Sequence, residues 1–145
     1  MDARLWGIIN ATESFRLITI NKLDDYLNLI WQANSHTSVL TPGGEPRTLR
    51  DCVQRISSAG GSFQALVDDD HSWFKSCIRI EQNFVASSFG WLTIQDATEH
   101  EKRKSPGGQY YIYDGVHRSI VLAKLLMGNA LDFEPVPCLH VPRNK

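Results

Sequence analysis

Gly107-Gly-Gln-Tyr-Tyr-Ile-Tyr-Asp-Gly-Val-His-Arg-Ser-Ile-Val-Leu-Ala-Lys-Leu-Leu-Met127 decides the reading of this chain. Pro106, Gly107 and Gly108 are turn residues. Gln109 to Tyr113 is aromatic and β-branched, which favours a strand. From Val116 onward the apolar residues Val116, Ile120, Ala123 and Met127 recur at helical spacing, joined by Val121, Leu122, Leu125 and Leu126. Gly128 supplies a stop. The spacing therefore predicts a strand over 109–113 and a helix over 116–127, meeting at Asp114-Gly115.

Such a junction suits an anion. The first N–H groups of a helix lack internal partners, and the helix dipole places partial positive charge there. Gly115 would let a ligand approach the backbone closely. Arg118 adds a fork of donors, and His117 adds a group that titrates near neutral pH. Gly115, Val116, His117, Arg118 and Ser119 are thus the candidate phosphate-binding residues. Asp114, His117 and Arg118 are the candidate catalytic ones. The alternative reading makes Asp114 an N-cap, Gly115 a turn residue, and His117 and Arg118 a solvated first turn.

Asp114-Gly-Val-His-Arg118, entered from an aromatic strand after a Gly-Gly turn, resembles the signature of the ParB/sulfiredoxin superfamily. The resemblance covers roughly Trp91 to Val141, and the earlier half fits in outline. It implies a nucleotide-phosphate site at this turn. Sulfiredoxins carry a catalytic cysteine just before His-Arg, whereas this chain has Val116, so sulfinic-acid reduction is not supported. Chromosome-partitioning members usually show an Arg-rich box, which this is not. A short domain with this box looks most like the nuclease or plasmid-transfer-inhibition branch. The resemblance therefore implies an NTP-hydrolysing, DNA-cleaving enzyme using Mg²⁺ with ATP or CTP. The alternatives are a small-molecule kinase of the free-serine-kinase type, and a non-catalytic binding or inhibitory module with a protein target. Asp114 or a remote carboxylate would hold the Mg²⁺, and no residue stands out as the nucleophile.

The whole chain sets bounds on these readings. Its 145 residues suffice for a sizeable core in one domain, 1–145. A net charge of −1 gives no global basic field, so any nucleic-acid or phosphate contact must be local. No apolar run reaches transmembrane length and no signal-peptide pattern opens the chain, so the expectation is a cytoplasmic protein with no membrane partner. Cys52, Cys77 and Cys138 are odd in number and widely spaced, as expected of buried thiols.

The remaining segments predict a small mixed sheet covered by helices, an α+β fold. Strands are expected near 15–20, 91–95, 109–113 and 136–141, and helices near 22–33, 46–58, 70–80 and 116–127. Met1 to Ser14 shows no clear period and reads as a mobile terminus, or as a short strand through Trp6, Ile8 and Ile9. Asn21 is expected to cap a helix whose stripe is Leu23, Tyr26, Leu27, Ile30 and Trp31. Asp24 and Asp25 either stabilise its first turn or face the phosphate site. Leu49, Cys52, Val53 and Ile56 make the buried face of the second helix, with Pro46 in an early helical position. Arg47, Arg50 and Arg55 read as a solvated face. Asp68-Asp-Asp-His71 reads as a cap cluster for a helix bearing Trp73, Phe74, Cys77 and Ile78, with Mg²⁺ binding as the alternative. Cys77 to Glu81 also alternates like a strand. Glu99 to Ser105 is expected to be a charged hairpin loop whose Lys102, Arg103 and Lys104 are the candidate nucleic-acid contacts. Pro135 and Pro137 suggest an edge strand or a strand start, and His140 reads as structural.

Overall fold

The fold is mixed α/β, a six-stranded mixed sheet with five α-helices among the described residues. The structure is a computed structural model that describes residues 15–32, 39–67, 71–84 and 89–143. The elements in chain order are β1 (Arg16–Ile20), α1 (Leu23–Leu27), β2 (Ile30–Trp31), β3 (Arg47–Thr48), α2 (Leu49–Ser58), α3 (His71–Gln82), β4 (Leu92–Asp96), α4 (Glu99–Lys104), β5 (Tyr110–Asp114), α5 (Val116–Met127) and β6 (Val136–His140). Short 3₁₀ turns occupy Pro42–Gly44 and Gln64–Leu66.

The sheet order is β1-β6-β4-β5-β2-β3. β4 runs parallel to β6 and antiparallel to β5. β2 joins the other side of β5 in parallel, with Ile30 opposite Tyr111. This arrangement fixes two ends of the sheet. Thr93 and Asp114 pair at one end, and Asp96 and Tyr110 pair at the other. One apolar cluster joins Leu92, Ile94 and Ile112 of the strands to Ile120, Val121, Ala123 and Leu126 of α5, with Leu49, Val53 and Ile56 of α2 and Phe74 of α3. All three cysteines are buried and unpaired. Burial pushes the Cys52 and Cys138 thiols up to about 12, so both stay protonated.

Several local expectations are corrected. The first helix ends at Leu27 rather than near residue 33, and Ile30–Trp31 is a strand. The stripe at helical spacing is real, but pairing to Tyr111 and Thr48 satisfies the Ile30 backbone better than an isolated last helical turn would. Lys22, not Asn21, occupies the N-cap, and it makes no side-chain cap bond. The second helix begins at Leu49, where the Thr48 hydroxyl accepts from the Asp51 N–H. Pro46 lies before β3, and its carbonyl accepts from the Ser105 hydroxyl at 2.9 Å. Residues 71–82 settle as helix, so the strand-like alternation at Cys77–Glu81 is incidental. Asp68 to Asp70 and residues 1–14 lie outside the described residues.

One further correction bears on the site. Glu99 to Lys104 is a helix, not a hairpin loop. Thr98 and Glu101 form a reciprocal capping box that starts it, and Arg143 binds Glu101 through two 2.7 Å bonds. Of the two readings of Pro135 and Pro137 the strand start holds, since Pro135 precedes β6 and Pro137 is its second residue, and β6 is an interior strand, between β1 and β4. Pro137 is tolerated because β4 pairs only from Cys138 onward, so Val136 and Pro137 have β1 alone as a neighbour.

The strand-to-helix turn and its surroundings

β5 passes into α5 through Gly115, whose φ of 99° lies in the left-handed region. Asp114 is the last strand residue rather than the cap, since Gly115 holds the N-cap position and carries no side chain to cap with. Val116, His117 and Arg118 therefore begin the helix with N–H groups that no side chain of the N-cap satisfies. Their i−4 residues are Ile112, Tyr113 and Asp114, all in the strand, so no helical carbonyl lies behind them.

The Arg118 fork is directed backwards, into the protein. Nη1 donates to the Phe89 carbonyl at 2.6 Å, and Nη2 donates to the Trp91 carbonyl at 3.0 Å. The guanidinium also lies over the Phe89 ring, 5.6 Å from its centroid. A Cβ on Gly115 would stand 2.7 Å from both Nη2 and Leu92 Cδ2, and one on Gly90 would stand 3.2 Å from Nη1. The glycine at the turn thus makes room for Arg118 and Leu92, a role separate from ligand approach. Two of the five guanidinium N–H groups are used in these carbonyl bonds.

Ser119 is fully buried, and its hydroxyl donates to the Gly115 carbonyl at 2.7 Å. The Tyr26 hydroxyl in turn donates to the Ser119 carbonyl at 2.8 Å, which ties α1 to α5. Ser119 therefore braces the turn from inside. Val116 packs half-buried against the core.

His117 sits in an aromatic stack that the sequence did not announce. Its ring centroid is 4.4 Å from that of Trp73, on α3, which stacks at 5.2 Å on Trp31 of β2. Each tryptophan reads as core from its own segment; the pairing of β2 with β5 brings Trp31 to this helix start, and the packing of α3 on α5 brings Trp73. Burial lowers the His117 pKa, so the imidazole is neutral at neutral pH. A neutral ring can offer one donor and one acceptor but no charge to an anion.

The other candidates lie elsewhere. Lys102, Arg103 and Lys104 end α4, which leaves the sheet beside Asp96 and Tyr110. That is the opposite end of β5 from Gly115, about 13 Å away for four strand steps. Lys102 pairs with Glu99 at 3.9 Å and Lys104 with Glu45 at 3.3 Å. Asp24 pairs with Arg50 at 3.0 Å. Asp25 lines a cleft of about 370 Å³ that also includes Lys22, Gly107 and Tyr110, again at the far end of β5. Arg47 and Arg55 both lie by Asp51, at 3.8 and 3.1 Å. His140 has the structural position expected of it, 2.9 Å from Asp96 and edge-on to Tyr110.

Among the described residues no three His, Cys, Asp or Glu side chains converge as a metal site. Mg²⁺ beside a nucleotide needs only one or two carboxylates, because phosphates and water complete its shell. Asp114 is the carboxylate the chain places next to the turn. No described helix is long and apolar enough to cross a membrane.

Comparison of the chain with protein-family models, with curated proteins and with solved structures finds no match.

Proposed function

We propose that this chain is a nucleotide-phosphate-binding domain of ParB/sulfiredoxin type, with the phosphate seated on the first turn of α5. The observation that carries this reading is the junction itself. An aromatic strand ends at Asp114, Gly115 turns at φ 99°, and the N–H groups of Val116, His117 and Arg118 open a twelve-residue helix whose N-cap is a glycine with no side chain to cap them. Asp114 is the residue to hold Mg²⁺ on that phosphate, and the neutral His117 ring is the group to accept or donate a proton there. The resemblance of Asp114-Gly-Val-His-Arg118 supports ATP or CTP as the ligand.

Within this reading the geometry favours binding or NTP hydrolysis over DNA cleavage. A nuclease needs cations flanking the reacting phosphate. Lys102, Arg103 and Lys104 stand at the other end of β5, and two donors of Arg118 are engaged by carbonyls. Calorimetry with ATP and CTP in the presence of Mg²⁺, together with amide chemical shifts, tests the proposal. Saturable heat with shifts centred on Val116 to Arg118 supports it, and turnover in the same samples makes the domain an NTPase. No heat at millimolar nucleotide, or shifts confined to another surface, overturns it.

A further inference from the structure

A cleft of about 480 Å³ lies between α5, the segment entering β4 and the segment entering β6. Its volume falls in the range of small-molecule sites. Four aromatic residues line it, Phe84, Phe89, Trp91 and Phe133. Leu122 and Leu126 of α5 also line it. Among the described residues, its formally charged lining residues are Asp132 and Glu134.

Aromatic faces together with carboxylates form the chemistry that recognises an organic cation. The rings of Phe84, Trp91 and Phe133 offer negative quadrupole faces and apolar area, while that of Phe89 already carries the Arg118 guanidinium, and the carboxylates offer opposite charge. An anion would meet repulsion from Asp132 and Glu134, and a neutral apolar ligand would leave both without use. The walls are also held in place. The Arg118 fork binds the carbonyls of Phe89 and Trp91, the two residues whose rings flank Gly90. Phe133 leans on the buried Tyr26 ring at 6.2 Å, and Phe84 on Phe89 at 6.4 Å. Trp91 is 44% exposed although it lines the cleft, which leaves indole surface for a ligand to cover.

We infer that this cleft binds a small organic cation, an alkyl- or arylammonium whose apolar body rests on the rings and whose charge faces Asp132 and Glu134. The site is separate from the phosphate turn and stands without it.

The test is a titration of the full chain with choline and benzyltrimethylammonium, followed by the Trp91 indole and Phe133 amide resonances. Neohexanol, the uncharged isostere of choline, is the control. The expected result is saturable shifts at both residues, with choline about tenfold tighter than neohexanol. The double variant Asp132→Asn, Glu134→Gln, at two exposed positions, should keep the fold and lose the preference for the cation. Equal affinity for choline and neohexanol would overturn the inference, as would an unchanged preference in the double variant. Absence of shifts with either cation would also overturn it.

Discussion

Arg118 donates from Nη1 to the main-chain carbonyl of Phe89 at 2.6 Å, across 29 positions of sequence. With the second bond to Trp91, this side chain fastens the segment entering β4 to the first turn of α5. Removing it leaves two carbonyls without their charged donor. Arg118→Ala should cost about 2 kcal/mol in urea unfolding, and Arg118→Lys should recover less than half, because a single ammonium does not reproduce the fork. Loss of ligand binding in Arg118→Ala must therefore be judged against its stability.

Gly115→Ala is the more severe change at the same place. It combines a left-handed backbone with a Cβ 2.7 Å from Leu92 Cδ2. The expected cost is about 3 kcal/mol. Gly61→Ala provides the comparison, because Gly61 has φ 81° but open space around it. Its cost should be about 1 kcal/mol, from the backbone alone. Equal midpoints for the two variants would show that the crowding at Gly115 is relieved by movement of Leu92 and Arg118.

His117 gives stability a pH dependence of definite sign. Burial lowers its folded pKa below the ordinary imidazole value, so the unfolded chain binds the proton more readily. Stability should be full above about pH 6.5 and fall as pH drops through the window between that value and the lower folded one. Urea midpoints measured across this window for the wild type and for His117→Asn check it, since the variant removes only this contribution. A phosphate bound at the turn should move the His117 resonance titration upward, because an adjacent anion favours imidazolium.

Arg143 and Glu101 close the opposite end of the sheet. Glu101 is buried, with its side chain 6% exposed, and accepts both from Arg143 and from the Thr98 N–H. Arg143 also lies over the Tyr111 ring, 4.7 Å from its centroid. Arg143→Ala should cost about 2 kcal/mol, discounted from the fully buried case because Arg143 is partly solvated. A double-mutant cycle with Glu101→Gln should show coupling that persists in salt, unlike that of the exposed Lys102–Glu99 pair.

Charge reversal of Lys102, Arg103 and Lys104 to Glu should leave nucleotide affinity at the α5 turn within about twofold at physiological salt, since the separation exceeds the screening length. A tenfold loss, read by calorimetry, would mean that the ligand reaches both ends of β5.

The sequence by itself determined the elements whose information is local. The faces of α2 and α5, the aromatic β5 and the stop after Met127 all follow from periodicity and turn chemistry between near neighbours. The stop is shared with Asn129, which takes the left-handed conformation at φ 59°. Even α4 was legible through Thr98-x-x-Glu101, a capping box that the run of charges obscured. Tertiary structure decided the rest, because it depends on which strand finds which. Ile30 and Trp31 carry a helical spacing yet extend, since β5 and β3 offer their backbones ready partners. The destination of Arg118 lies 27 and 29 residues upstream, where no local pattern points. The distance between Lys102–Lys104 and His117 is set by the antiparallel pairing of β4 with β5, which carries α4 to one end of the sheet and α5 to the other. Side-chain chemistry is written along the chain, but its company is chosen by strand pairing and burial, which act between residues far apart in sequence.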